Sequence, residues 1–80
     1  MDKKEALNNI FNKVLELNLK GHKLIFEMSY ISVDVYDPEK FKNTGVGKVA
    51  DYVYFNSKYN YTNISFEKRY NELMEELNKY

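Results

Sequence analysis

Apolar side chains at both ends of the chain recur with the spacing of an amphipathic helix. The first series comprises Leu7, Ile10, Phe11, Val14 and Leu15. With Asp2 placed to cap its start and Gly21 placed to end it, this series predicts a helix over residues 3–20. The second series comprises Phe66, Tyr70, Leu73, Met74 and Leu77. With Ser65 as its N-cap, the second series predicts a helix over residues 66–79.

Between the two helices the apolar pattern changes to the alternation typical of β-strands, and this alternation shifts phase once. In LIFEMSYISVDVYD, residues 24–37, apolar side chains occupy even positions as far as Tyr30 and odd positions from Ile31 onward. Because successive side chains of a strand point to opposite faces, the shift indicates either a bulge in one long strand or a turn between two strands. Two strands, over 23–28 and 31–36 with a turn at Ser29–Tyr30, agree better with usual strand lengths and are favoured.

A third strand and a short helical turn complete the predicted fold. Residues 48–55, KVADYVYF, are rich in β-branched and aromatic side chains and predict a strand with Val49, Val53 and Phe55 on one face and Ala50, Tyr52 and Tyr54 on the other. Before it, the Asp-Pro pair at 37–38 predicts a helical turn through residue 41.

We therefore expect a single α+β domain over residues 1–80. A small antiparallel sheet of three strands, or of two if residues 24–37 form one bulged strand, is flanked by the N-terminal and C-terminal amphipathic helices. The apolar stripes of both helices are expected to pack together against one face of the sheet.

Composition and charge disfavour several classes of protein. The chain has 12 basic and 12 acidic side chains, and this zero net charge argues against bulk attraction to nucleic acid. It has no cysteine, which excludes disulfides and thiolate metal sites. No apolar stretch approaches the roughly 18 residues of a membrane span, and the first residues lack the apolar segment of a signal peptide. A cytoplasmic protein that does not enter a membrane is expected.

The patterns that suggest catalysis or phosphate binding do not have the required spacing. His22 is the only histidine, and it follows the helix-ending Gly21, where an imidazolium beside exposed carbonyls is ordinary. The sequence TGVGK at 44–48 lacks the first glycine of a phosphate loop and has Val49 in place of the required serine or threonine. We therefore expect no enzymatic activity, no catalytic residue, no metal site and no cofactor.

Tyrosine is the residue type that suggests a binding surface. The chain has eight tyrosines, and YVYFNSKYNY at 52–61 interleaves aromatic with small polar residues. Tyrosine combines rigid apolar area with a polar tip and is enriched at binding hot spots. The competing explanation is A/T-rich codon usage, which would also account for the abundant lysine and asparagine. The first interpretation predicts a partner-binding surface made of Tyr36, Tyr52, Tyr54, Tyr59, Tyr61, Asp34 and Asp51. Its acidic members would steer a basic partner.

Three segments share a layout with a known group of small proteins. They are the N-terminal helix, the apolar hairpin sequence LIFEMSYISVDVYD followed by DYVYFN, and the closing helix FEKRYNELMEELNKY. This layout resembles that of small phage-encoded α-β-β-β-α proteins, among them some anti-CRISPR inhibitors.

The resemblance implies a non-enzymatic viral inhibitor that works in the host-cell cytoplasm by binding a protein, such as a basic nucleic-acid-handling effector of host defence. The zero net charge differs from that of strongly acidic DNA-mimicking inhibitors and disfavours DNA mimicry. Two alternatives stay open. One is a nucleic-acid-binding accessory protein that stacks bases on its tyrosines, and the other is assembly of the chain into a homo-oligomer.

Overall fold

The chain forms a three-stranded antiparallel sheet with a long helix from each end of the sequence packed on one of its faces. This architecture is described by a computed structural model that covers residues 1–60 and 63–80. In chain order the elements are α1 (Lys3–Leu19), β1 (Ile25–Met28), β2 (Ser32–Tyr36), α2 (Pro38–Thr44), β3 (Val53–Tyr54), a 3₁₀ turn (Ser57–Tyr59) and α3 (Phe66–Leu77). The strands lie in the order β1-β2-β3. The α+β prediction with three strands is confirmed, and the alternative of one bulged strand is wrong.

The helices begin at the capping residues that the sequence indicated. The Asp2 carboxylate accepts the backbone N–H of Lys4 at 2.9 Å, and the Ser65 hydroxyl accepts that of Lys68 at 3.1 Å. Each cap satisfies a donor that the first turn of a helix leaves unpaired. Helix α2 runs three residues further than the predicted turn and ends at Gly45, whose φ of 79° lies in the left-handed region that glycine tolerates.

The hairpin between β1 and β2 explains the phase shift of the apolar pattern. Four residues separate the last paired positions, Met28 and Val33, whereas the predicted turn had two. The longer turn is stabilised by the Ser29 hydroxyl, which accepts the backbone N–H groups of Ile31 and Ser32 at 3.0 and 3.2 Å. A turn of two residues and a turn of four both pair even positions of β1 with odd positions of β2. Those positions therefore share a face of the sheet in either case. The predicted faces are therefore correct, and the predicted pairing is wrong by two residues.

The core lies between the sheet and the two long helices. Helix α1 contacts β1, α3 contacts β3, and the two helices contact each other. The side chains that become fully buried there are Ile10, Leu17, Val33, Val35, Val53, Leu73 and Leu77. The predicted packing of both helical stripes against one sheet face is thus confirmed in outline.

One predicted core residue, Phe11, is instead 49% exposed. The buried line of α1 is Ala6, Ile10, Val14 and Leu17. Phe11 lies one position off this line and reaches over the outermost strand, where its ring meets that of Phe26 edge-on at 5.6 Å. β1 is the edge strand, and within residues 1–60 and 63–80 no further strand lies beyond it to cover Phe11.

The predicted strand over 48–55 is much shorter in the structure. Lys48 forms one isolated bridge with Tyr36, the chain bends at residues 49–51, and regular pairing resumes only at Val53–Tyr54. The bend turns Ala50, which was predicted to lie on the opposite face, against the core. Val53 still points into the core as predicted.

Candidate protein-binding surface

The sheet has a second face, opposite the helices, that the register defines residue by residue. Since Val33 and Val35 are buried beneath the helices, the alternating side chains of β2 point the other way. The residues paired with them in the neighbouring strands share that side. We call this surface the outer face; its members are Ile25, Glu27, Ser32, Asp34, Tyr36 and Tyr54, together with the adjoining Lys48 and Tyr52.

Aromatic rings cover much of the outer face. The rings of Tyr52 and Tyr54 lie 6.1 Å apart, and the Lys48 ammonium nitrogen lies 4.1 Å from the centre of the Tyr52 ring. At the other end, the Tyr36 ring packs beside Phe41 of α2 and against the backbone of Gly47, where any Cβ atom would overlap it. Gly47 therefore permits the loop after α2 to lie flat on this ring. The result is a tyrosine surface held in place at both ends.

The centre of the outer face is acidic. Asp34 is only 6% exposed, and in the register it stands directly opposite Glu27. Burial, and then the charge of Glu27, raise the pKa of the Asp34 carboxyl above its usual value, while Lys48 acts in the opposite direction. A buried carboxylate facing a second carboxylate is an electrostatically unfavourable arrangement in the isolated protein.

The structure brings together four of the seven predicted site residues, namely Tyr36, Tyr52, Tyr54 and Asp34. Asp51 instead points toward the helices, because the bend before β3 turns it to Arg69 of α3, whose guanidinium donates to its carboxylate at 2.6 Å. The Tyr59 ring packs edge-on against Tyr30 of the β1–β2 turn at 5.7 Å, and no ring contact joins it to the other predicted tyrosines among the described residues. Tyr61 lies outside the described residues.

Glu27 and Lys48 also belong to this surface, although the sequence pattern did not predict them as site residues. Glu27 joins it because the hairpin register places it across from Asp34. Lys48 joins it through its bridge to Tyr36, which fixes the direction of its side chain. The apolar alternation within residues 24–37 predicts on which side of the sheet Glu27 lies. Which residue of β2 stands opposite Glu27 depends on the length of the turn.

A second polar cluster lies at the N-terminus of α2. The Tyr80 hydroxyl donates to one carboxylate oxygen of Asp37 at 2.6 Å, and the other oxygen accepts the backbone N–H groups of Glu39 and Lys40. The His22 ring stands edge-on to Tyr80 at 5.2 Å. Partial burial, followed by the bond to Asp37, raises the pKa of the Tyr80 hydroxyl. Since the Asp37 oxygens are all engaged, the cluster ties α2 to the residues that follow α3.

Comparisons with family models, with curated proteins and with solved structures find no match for this chain. Over residues 1–60 and 63–80, no helix is both long and apolar enough to cross a membrane. The same residues contain no group of three or more His, Asp or Glu side chains arranged to hold a metal ion.

Proposed function

We propose that this protein is a non-enzymatic module that binds another protein through the outer face of its sheet. One observation carries the proposal: three tyrosines gather on the sheet face that the helices leave open. Tyr52 is 39% exposed, and Tyr36 and Tyr54 are half-buried. Side chains at this margin keep apolar area for a partner and hold a hydroxyl toward the rim of the contact.

The partner we propose is a basic nucleic-acid-handling effector of a host defence system, bound in the cytoplasm. The layout shared with small phage-encoded inhibitors supports this class of partner. So does the charge of the outer face, where Glu27 and Asp34 outnumber the single cation Lys48. Complementary charge would favour a partner that presents a basic surface.

The experiment measures binding and inhibition with the same variants. Guide-loaded CRISPR effector complexes are immobilised and probed with the wild-type protein, and plating of a targeted phage is measured in cells that express it. We expect one effector class to bind and plating to recover. Tyr52→Ala should weaken binding by about 2 kcal/mol, roughly thirtyfold, because hot-spot tyrosines contribute on this scale.

A matched control is Leu19→Ala, which removes a side chain that is 80% exposed on α1 and distant from the outer face. It should bind like the wild type. Binding of no effector by the folded wild-type protein would refute the proposed partner class. Equal binding by Tyr52→Ala, Tyr54→Ala and their double variant would refute the proposed surface.

The second candidate function is nucleic-acid binding, and the Lys48 ammonium over the Tyr52 ring is the feature that favours it. Cations beside stacking aromatic rings are used by proteins that bind single strands. The two carboxylates on the same face oppose it, since they would repel phosphates. Phosphate-driven binding would weaken steeply with salt, by about one unit of log–log slope per phosphate contact, whereas the proposed protein contact would not.

A further inference from the structure

A small cavity opens on the outer face beside the β1–β2 turn. Its volume is about 240 Å³, and it is lined by Glu27, Met28, Ser29, Ser32, Asp34 and Tyr52. Cavities that take small-molecule ligands are larger, on the order of 300–1,000 Å³. The size of this cavity therefore suits a single side chain of a partner better than a cofactor or metabolite.

The cavity is lined by the carboxylate of Asp34, which has no partner among the described residues. Asp34 is more than nine-tenths buried and lines the cavity wall, and no hydrogen bond or ion pair within the described part of the chain reaches its oxygens. Buried ionisable groups in proteins are normally paired, because an unpaired charge loses its hydration without compensation. An unpartnered acid directed into an open cavity is therefore a group suited to receive a cation from outside.

The neighbours of Asp34 increase this demand for positive charge. Glu27 stands directly across the strand pair and adds a second carboxylate to the same wall. Lys48 is near enough for its charge to act on Asp34, yet its ammonium lies over the Tyr52 ring and forms no ion pair with either acid among the described residues. Two acids and one lysine leave a net negative charge at the mouth of the cavity.

We infer that this cavity binds an arginine side chain of the partner protein, with Asp34 and Glu27 as its carboxylates and Tyr52 as its aromatic wall. The inference rests on the proposed function only in assigning that arginine to a protein. Directly opposed residues of paired strands hold their Cβ atoms about 4.5–5.5 Å apart, a spacing that the planar fork of a guanidinium can bridge. The same guanidinium can lie against an aromatic ring, which a strongly hydrated ammonium does less well.

The test titrates the isotope-labelled protein with the capped tripeptide acetyl-Gly-Arg-Gly-amide and follows backbone amide shifts by NMR. The matched probe is the same peptide with citrulline, which keeps the shape of arginine and lacks its charge. We expect the arginine peptide to shift the amides around Glu27, Asp34 and Tyr52 at millimolar concentration. The citrulline peptide should bind at least about tenfold more weakly, since charge-assisted hydrogen bonds are roughly twice as strong as neutral ones.

Two substitutions identify the carboxylate. Asp34→Asn should weaken arginine binding about tenfold, and Glu27→Gln, at an exposed position, should weaken it less. Asp51→Asn is the control, because that acid is paired with Arg69 on the other side of the sheet. Equal shifts with both peptides, or undiminished binding by folded Asp34→Asn, would overturn the arginine site. Amide shifts confined to the acidic residues of α3 would overturn the arginine site as well.

The outcome separates this site from the proposed function. Arginine binding without binding of any effector would support the site and refute the effector as partner. Effector binding that depends on Tyr52 but tolerates Asp34→Asn would leave the tyrosine surface intact and refute the arginine site.

Discussion

At the scale of single residues, Asp34 is unusual because the residue is only 6% exposed, yet its carboxylate has no hydrogen-bond or ion-pair partner among the described residues. Burial, and then Glu27, raise the pKa of Asp34 above the ordinary value of 3.8. A group whose pKa is higher in the folded than in the unfolded chain stabilises the fold fully below the unfolded value, and that contribution is lost as the pH rises through the folded value. At neutral pH the charged Asp34 therefore lowers the free energy of unfolding.

The first prediction is that Asp34→Asn stabilises the free protein at pH 7.5, by about 1 kcal/mol, as substitutions that remove strain from binding sites commonly do. The gain should shrink as the pH falls through the raised pKa of the folded Asp34 carboxyl, because the wild-type group then takes up its proton. Urea unfolding at both pH values measures the difference. Lower stability of Asp34→Asn at pH 7.5 would indicate a structural role for the carboxylate and contradict this account.

The second prediction concerns the Asp37 carboxyl. Partial burial raises its pKa, but the hydrogen bonds from Tyr80 and from the backbone of Lys40 and Glu39 outweigh burial, so the net effect is a lowered pKa. Its contribution to stability is thus present above about pH 3.8 and is lost as the pH falls through the folded value.

Tyr80→Phe should raise the pKa of Asp37 toward its ordinary value and cost about 0.5–1.5 kcal/mol near pH 6, the usual range for one hydrogen bond. The cost should disappear once Asp37 is protonated in both proteins. Carbon-detected NMR titration of the carboxyl reports the pKa directly, and Tyr54→Phe, which removes a tyrosine hydroxyl that does not bond to Asp37, serves as the control. An unchanged Asp37 titration in Tyr80→Phe would contradict the role given to this bond.

At the scale of elements, the two long helices differ in how their stripes are covered. Leu73 of α3 is fully buried, whereas Phe11 of α1 remains half exposed above the outermost strand. The third prediction is that Leu73→Ala costs about 2–5 kcal/mol and Phe11→Ala less than about 1.5 kcal/mol. Thermal unfolding monitored by circular dichroism compares them. Similar costs for the two variants would mean that α1 is placed differently on the sheet.

The elements also show which parts of the fold the sequence predicts and which parts it does not. Helix periodicity and capping residues placed both long helices to within two residues, because these signals are local. The length of the hairpin turn could not be obtained in this way, since it depends on the hydroxyl of Ser29, and a two-residue turn satisfies the same alternation. The bend before β3 could not be predicted either, since the contact that accompanies it, between Asp51 and Arg69, joins residues remote in sequence.

In the candidate site, too, local sequence signals predicted some residues and contacts between segments determined the others. The tyrosine-rich segment identified Tyr52 and Tyr54, and the adjacency of β2 and β3 brought Tyr36 to the same face. Asp51 was included as an acidic neighbour of the tyrosines, although strand alternation places it on the side of Val53, and in the structure it is paired with Arg69 of α3. The position of Glu27 opposite Asp34 follows only from the register of the β1–β2 pair. Prediction of the site therefore failed where it required pairing between segments.

At the scale of the whole molecule, charge balance determines how a partner would approach. The chain has equal numbers of acidic and basic side chains, so its net charge adds nothing to the short-range steering that the acidic side chains of the outer face would exert on a basic partner. The fourth prediction is that the association rate with a basic partner changes less than about threefold between 50 and 300 mM salt, whereas Asp34→Asn acts on the dissociation rate. Surface plasmon resonance at several salt concentrations measures both rates. A steep decline of the association rate with salt would indicate long-range steering instead.

The shortness of β3 has a consequence for how this surface can change over evolutionary time. Only Val53 and Tyr54 pair in that strand, and Tyr52 precedes the pairing, whereas the longer hairpin of β1 and β2 forms the rest of the sheet. If the outer face binds a partner as proposed, substitutions at Tyr52 and Tyr54 would alter what it recognises while the hairpin and the buried core stay in place. A lineage that carries this protein could then change its target by mutations at a few positions and keep the same scaffold.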